Sequence, residues 1–159
     1  MPDYLDPARV LSILSVSSET WDDAVTDEFF GKELFSSPTL TSDPIISGDG
    51  KNSVGWGLLE PGIIAITTIW YNPATKRIVE FDTVFNTYYQ WGDATNPETL
   101  NVMDLQNIET HEFGRNGLAD LRPPKDAELT MYYASTFGEV KKRTLGVGDI
   151  LGIQALYGA

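Results

Sequence analysis

Thr110-His111-Glu112-Phe113-Gly114-Arg115-Asn116-Gly117-Leu118-Ala119-Asp120 is the stretch that decides how the rest of the chain is read. It holds the only histidine of the protein. The residues leading into it predict a helix. Asp104 is a suitable N-cap, and Leu105, Ile108, Glu109, Glu112 and Phe113 recur at helical spacing. Gly114 and Gly117 each lower helix propensity by about 1 kcal/mol against Ala. Asn116-Gly117 is a stop signal, and Arg122-Pro123-Pro124 lies beyond the end. His111 and Glu112 therefore fall near the end of the helix, and Arg115, four residues after His111, projects from the same face.

His-Glu on a helix is the start of His-Glu-x-x-His, in which two imidazoles one turn apart hold zinc and the Glu acts on a bound water. A catalytic zinc needs three protein ligands and an open position. Here Arg115 stands where the second His belongs, and a guanidinium has no lone pair to give a metal. A bare His-Glu pair also arises easily by chance, so taken alone it reads first as structure.

The elements around this stretch predict an α+β domain. Residues 10–16 are apolar and read as a first strand. Ser18 is a plausible N-cap for a helix over residues 19–30, with Trp21, Ala24, Val25, Glu28 and Phe29 at helical spacing, Asp22 and Asp23 in its first turn and Gly31 as its stop. Its acidic run is a solvated face. Residues 36–52, rich in Ser, Thr, Pro, Asp and Gly, read as a loop. Three strands follow, over residues 54–59, 63–71 and 77–86, separated by Glu60-Pro61-Gly62 and by Asn72-Pro73-Ala74-Thr75-Lys76. Residues 88–101 and 121–145 read as irregular. A closing helix over residues 147–157 carries Ile150, Ile153, Leu156 and Tyr157 and stops at Gly158. The expected layout is a largely antiparallel sheet with flanking helices, in one domain over residues 1–159.

Composition narrows the function classes. The chain has 159 residues, 42% apolar and 21% charged, as in an ordinary globular domain. Net charge is −12 and the pI is near 4.3, which disfavours nucleic acid and anionic membrane as partners. No cysteine is present, so thiolate-ligated zinc and disulfides are out. No apolar run approaches the length of a membrane span, about 18 residues. The first residues lack the basic start and apolar run of a signal peptide, so localisation is open between an intracellular protein and a secreted one whose leader has been removed.

From about Trp56 onward the sequence resembles the metzincin zinc metallopeptidases, and among them the matrixin-like branch. That signature is His-Glu-x-x-His-x-x-Gly-x-x-His with a Met-turn downstream. Thr110-His111-Glu112-Phe113-Gly114 matches its start, and Arg115 departs from it. Allowing one deleted residue, Gly117-Leu118-Ala119-Asp120 matches a Gly-Leu-x-Asp ending and makes Asp120 the third-ligand candidate, against the ordinary role of Asp as a cap or turn residue. Leu129-Thr130-Met131-Tyr132-Tyr133 resembles the Met-turn. The run from Leu145 to Gly158 resembles the matrixin closing helix, Asp-Asp-Ile-x-Gly-Ile-Gln-x-Leu-Tyr-Gly, with Asp149 as its second Asp and Gly148 in place of the first.

The resemblance implies a zincin fold, a zinc cofactor and cleavage of peptide or protein substrates. Glu112 would be the general base on a metal-bound water, with Tyr133 near the metal or the reaction intermediate. His111 and Asp120 would be ligands. Met131 would lie beneath the metal, and Asp149 would anchor the Met-turn. Ile64, Ala65, Ile66 and Thr67 would form the edge strand along which substrate lies. Arg115, three residues from Glu112, is placed to supply the missing positive charge to Glu112, Asp120 or both. Two further readings stand beside the peptidase: an inactive relative that binds extended peptides along residues 63–67, and a purely structural domain.

Overall fold

The computed structural model describes residues 1–26, 29, 30, 46, 48–99 and 101–159. These form an α+β fold of three helices, a mixed three-stranded sheet and a small parallel strand pair. Among them no helix is long and apolar enough to cross a membrane.

Helix α1 spans Pro7–Asp22. It replaces both the strand expected over residues 10–16 and the helix expected to start at Ser18. The start signal is Asp6-Pro7: the Asp6 carboxylate accepts from the Ala8 amide, and Pro7 occupies a first-turn position where its missing N–H costs nothing. The buried stripe is Val10, Leu14, Ser17, Ser18 and Trp21. Two of those positions are serines, so apolar residues alone do not trace the helical period. Ser18 is interior to the helix, its hydroxyl donating to the Ser15 carbonyl at 2.8 Å. Asp22 and Asp23 end the helix, and Asp22 Oδ1 accepts from the amides of Phe29 and Phe30. The expected stop at Gly31, residues 27 and 28, and most of the loop expected over 36–52 lie outside the described residues; positions 48–52 are irregular.

Strands β1 (Ser53–Gly57), β2 (Ala65–Tyr71) and β3 (Ile78–Asn86) form the sheet in the order β1-β3-β2. The expected strands are all present, each trimmed at an end. β2 pairs antiparallel to β3, with Thr67 opposite Thr83 and a register shift between Trp70 and Tyr71. β1 pairs parallel to β3, with Val54 opposite Thr83. The sheet is therefore mixed rather than mainly antiparallel. The tight Asn72–Arg77 connection forces β2 and β3 into a hairpin, whereas β1 reaches the far side of β3 and carries no local constraint on its direction. Ile64 falls just before β2, although its carbonyl still accepts from the Asn86 amide at 3.0 Å. Central strand β3 is buried from Glu80 to Asn86.

A two-residue pair, β4 (Trp91–Gly92) with β5 (Met103–Asp104), runs parallel and leads into helix α2, Leu105–Gly114. The expected N-cap is in place: the Asp104 side chain accepts from the Asn107 amide at 2.8 Å. Irregular chain follows, apart from a single 3-10 turn at Lys141–Arg143, before helix α3, Val147–Tyr157. Gly158 ends α3 at φ 91°, a backbone conformation that suits glycine. The core lies between the sheet and the helices, around Trp21, Phe81, Phe85, Trp91, Phe113, Met131 and Ile153. Phe81 and Phe113 join β3 to α2 edge to face, with ring centroids 5.8 Å apart.

Candidate functional site

Helix α2 is buried on nearly every side, and its last turn carries the His-Glu pair. Gly114 closes it because there is no room for a side chain. A Cβ there would lie 2.3 Å from the Trp21 ring and 2.4 Å from Met131 Sδ. Gly117 is similarly pressed, with a Cβ falling 2.7 Å from Ile153. The amides of Gly117 and Leu118 both return to the Gly114 carbonyl and turn the chain away from the helix.

The floor of the site is built from α3. Asp149 Oδ2 accepts from the Thr130 amide at 2.8 Å and the Gly146 amide at 2.9 Å, and Oδ1 from the Met131 amide at 3.1 Å. This clamp fixes the turn at residues 129–133 and seats Met131 in the core against α2. It also aims the Thr130 carbonyl at His111 Nδ1, 2.8 Å away. A carbonyl only accepts, so Nδ1 carries the proton and Nε2 points elsewhere. The same turn positions Asp120: the Leu121 amide donates to the Met131 carbonyl, and the Tyr133 amide to the Leu121 carbonyl. Behind it the buried Lys142 ammonium donates to the Tyr132 carbonyl, and burial pulls the Lys142 pKa down.

The sequence stretch from His111 to Asp120 thus closes on itself. His111 Nε2 is 3.4 Å from Asp120 Oδ1. Arg115 donates to the same Asp120 oxygen, and its Nε is 3.9 Å from Glu112 Oε2. The His111 ring, which can donate to Asp120 from Nε2 only when both ring nitrogens carry a proton, and then the Arg115 guanidinium hold the Asp120 carboxyl well below the usual carboxylate range, against the opposing effect of burial. Glu112 is buried, and its Oε2 accepts from the Thr67 hydroxyl at 2.7 Å. Thr67 Oγ1 is in turn 2.9 Å from Thr83 Oγ1, across the β2–β3 pair. Since Thr67 spends its proton on Glu112, Thr83 donates to Thr67.

His111, Glu112, Arg115 and Asp120 are therefore brought together, over Met131 and Asp149. Thr67, expected only on a substrate edge, joins them through its side chain. Ala65 and Ile66 lie on β2 as expected, and Ile64 just outside it. Tyr133 stands apart: it is half-exposed, Arg122 lies over its ring at 4.8 Å, and it makes no hydrogen bond to His111, Glu112 or Asp120. Three contributors have no signal in the local sequence: the Thr130 carbonyl, Trp21 under Gly114, and Glu109. Glu109 is fully buried, and among the described residues neither of its carboxyl oxygens has a hydrogen-bond partner. Burial, then the neighbouring Glu112 charge, raise its pKa well above the usual value.

The donor set does not fit a three-ligand zinc. Among the described residues no group of three His, Cys, Asp or Glu side chains is placed to hold a metal ion. His111 and Asp120 are two donors, and the third corner is the Arg115 guanidinium. No protein-family model matches the chain, and no curated protein matches it.

Proposed function

We propose that this chain is a matrixin-like relative of the zinc metalloendopeptidases that binds extended peptide or protein segments along β2 without hydrolysing them. The observation that carries this reading is the position of Arg115. Its guanidinium is bonded to Asp120 and lies beside Glu112, so a charge that a metal would bring is held covalently by the chain. Arg115 and Asp120 neutralise each other, and Glu112 keeps its hydrogen bond to Thr67. The sheet supports the binding half of the proposal. β2 is at the sheet edge, and among the described residues its outer side has no strand neighbour. Such an edge offers backbone N–H and C=O groups to an added strand.

A second reading, a zinc-dependent endopeptidase, is favoured by one feature. Thr130 holds the His111 ring with Nε2 turned towards Asp120, so two potential ligands already converge. A quenched-fluorophore peptide library, assayed with and without chelator and in parallel for binding by fluorescence anisotropy, separates the two. Binding without cleavage is the expected result. Chelator-sensitive cleavage would overturn the first reading in favour of the second.

A further inference from the structure

The β2 strand does not end at the His-Glu site. Side chains alternate along a strand, so Thr67, Ile69 and Tyr71 follow one another on one face. Thr67 touches Glu112, while Ile69 and Tyr71 line an open depression of about 1010 Å³. Its far wall is the chain from Arg115 to Ala119, so it shares Arg115 with the site. The charges at its rim run against the rest of the molecule. Lys76 and Arg77, at the tip of the β2–β3 hairpin, border it, and among the described residues neither has an ion-pair partner. The acid in its lining, Glu80, is already engaged by the amides of Asp49 and Gly50.

Lys76 also holds a backbone conformation that favours glycine, at φ 60°. Asn72 builds the turn around it: its side chain accepts from the amides of Ala74 and Thr75, and its carbonyl accepts from the Lys76 amide. Glycine would adopt that conformation without strain, so retaining a lysine there gives up stability for a cation at the rim.

We propose that this depression receives an acidic side chain of the bound peptide, placed about four residues along from the peptide residue opposite Thr67. The spacing follows from the strand rise: Thr67 to Tyr71 covers roughly 13 Å, and a partner strand advances at the same rate. The proposal rests on the reading of β2 as a peptide-binding edge and adds its selectivity. An Asp or Glu there meets Lys76 and Arg77 in a protein whose net charge of −12 otherwise repels acidic segments.

The test uses blocked decapeptides of Ala, Val and Thr, amidated at the C-terminus so that no terminal carboxylate is present. A single Glu, or Gln as control, is walked through the positions, and binding is read by anisotropy. One position is expected to bind about fivefold tighter with Glu than with Gln, as fits two partly exposed charge pairs. That preference is expected to vanish in a K76G/R77Q double variant and to weaken in high salt. K76G alone is expected to unfold at the same or a higher temperature, which separates lost recognition from lost folding. Equal binding of Glu and Gln peptides at every position would overturn the proposal and leave the peptide-binding reading in place. So would a preference spread evenly over all positions, or one unchanged in the double variant. No binding of any peptide would overturn both.

Discussion

Replacing Gly114 by Ala tests the seating of the His-Glu helix on the turn below it. The added methyl would meet Trp21 Cζ2 at 2.3 Å, Trp21 Cη2 at 2.9 Å and Met131 Sδ at 2.4 Å. Ordinary carbon contacts are about 3.5–4.0 Å, so more than an ångström of movement is needed on two sides. Trp21 is fully buried and its indole N–H donates to the Thr110 carbonyl at 2.7 Å, so its ring cannot swing away without stranding that bond. Met131 is the softer neighbour, but its backbone is fixed by Asp149. Overpacking of this kind costs about 1–3 kcal/mol. The lost hydrogen bond adds about 1 kcal/mol. The better helix propensity of Ala returns at most about 1 kcal/mol, less at the final helical residue. The net loss is about 1–4 kcal/mol, which for a chain of this size lowers Tm by roughly 2–16 °C. Differential scanning calorimetry of G114A measures it. A Tm equal to or above that of the parent would refute the placement of Met131 and Trp21 beneath α2.

Two further perturbations probe the supports of the site. Asp149→Ala strands the amides of Thr130, Met131 and Gly146, and urea unfolding is expected to show a loss of about 3 kcal/mol, with D149N losing less because one acceptor remains. Arg143→Gln removes the cation that bridges Asp104, the α2 N-cap, to Asp93, with an expected loss of about 2 kcal/mol at neutral pH. Burial raises the Asp93 pKa, but the Thr95 hydroxyl and Arg143 outweigh it and hold the carboxyl well below the usual range. A depressed folded-state pKa stabilises above the unfolded value, about 4, and that stability is lost as pH falls through the folded value. The Tm difference between parent and R143Q is therefore expected to narrow as pH is lowered below about 4; a constant gap would contradict the assignment.

Sequence patterns revealed the parts of the fold whose signals are local. Asp104 announces α2 because an N-cap acts within three residues, and Asn72-Pro73 announces the hairpin because its turn is built by Asn72 itself. The α1 segment does not show its helical period in apolar residues because its buried stripe passes through Ser17 and Ser18. Ser17 meets the Thr110 hydroxyl at 3.2 Å, a tertiary contact, so small polar residues fill positions that an apolar count leaves blank. The parallel direction of β1 depends on which side of β3 it reaches, which no residue of β1 encodes. At the site, residue type and spacing brought His111, Glu112 and Arg115 into view, and the resemblance to the metzincins added Asp120. The Thr67 contact to Glu112 and the Thr130 contact to His111 were not visible, because both join residues far apart in the chain. The place near the metal or the reaction intermediate that the resemblance implies for Tyr133 has no counterpart among local signals; its ring lies against Arg122.

On the proposed function, Arg115 occupies the place of a metal ligand. Elemental analysis by inductively coupled plasma mass spectrometry, after incubation with excess zinc and removal of free metal, tests it directly. The parent protein is expected to retain no stoichiometric zinc. Arg115→His is expected to gain affinity, since it supplies a second imidazole beside His111 and frees Asp120 from its ion pair. One tightly held zinc per chain in the parent protein would contradict the account.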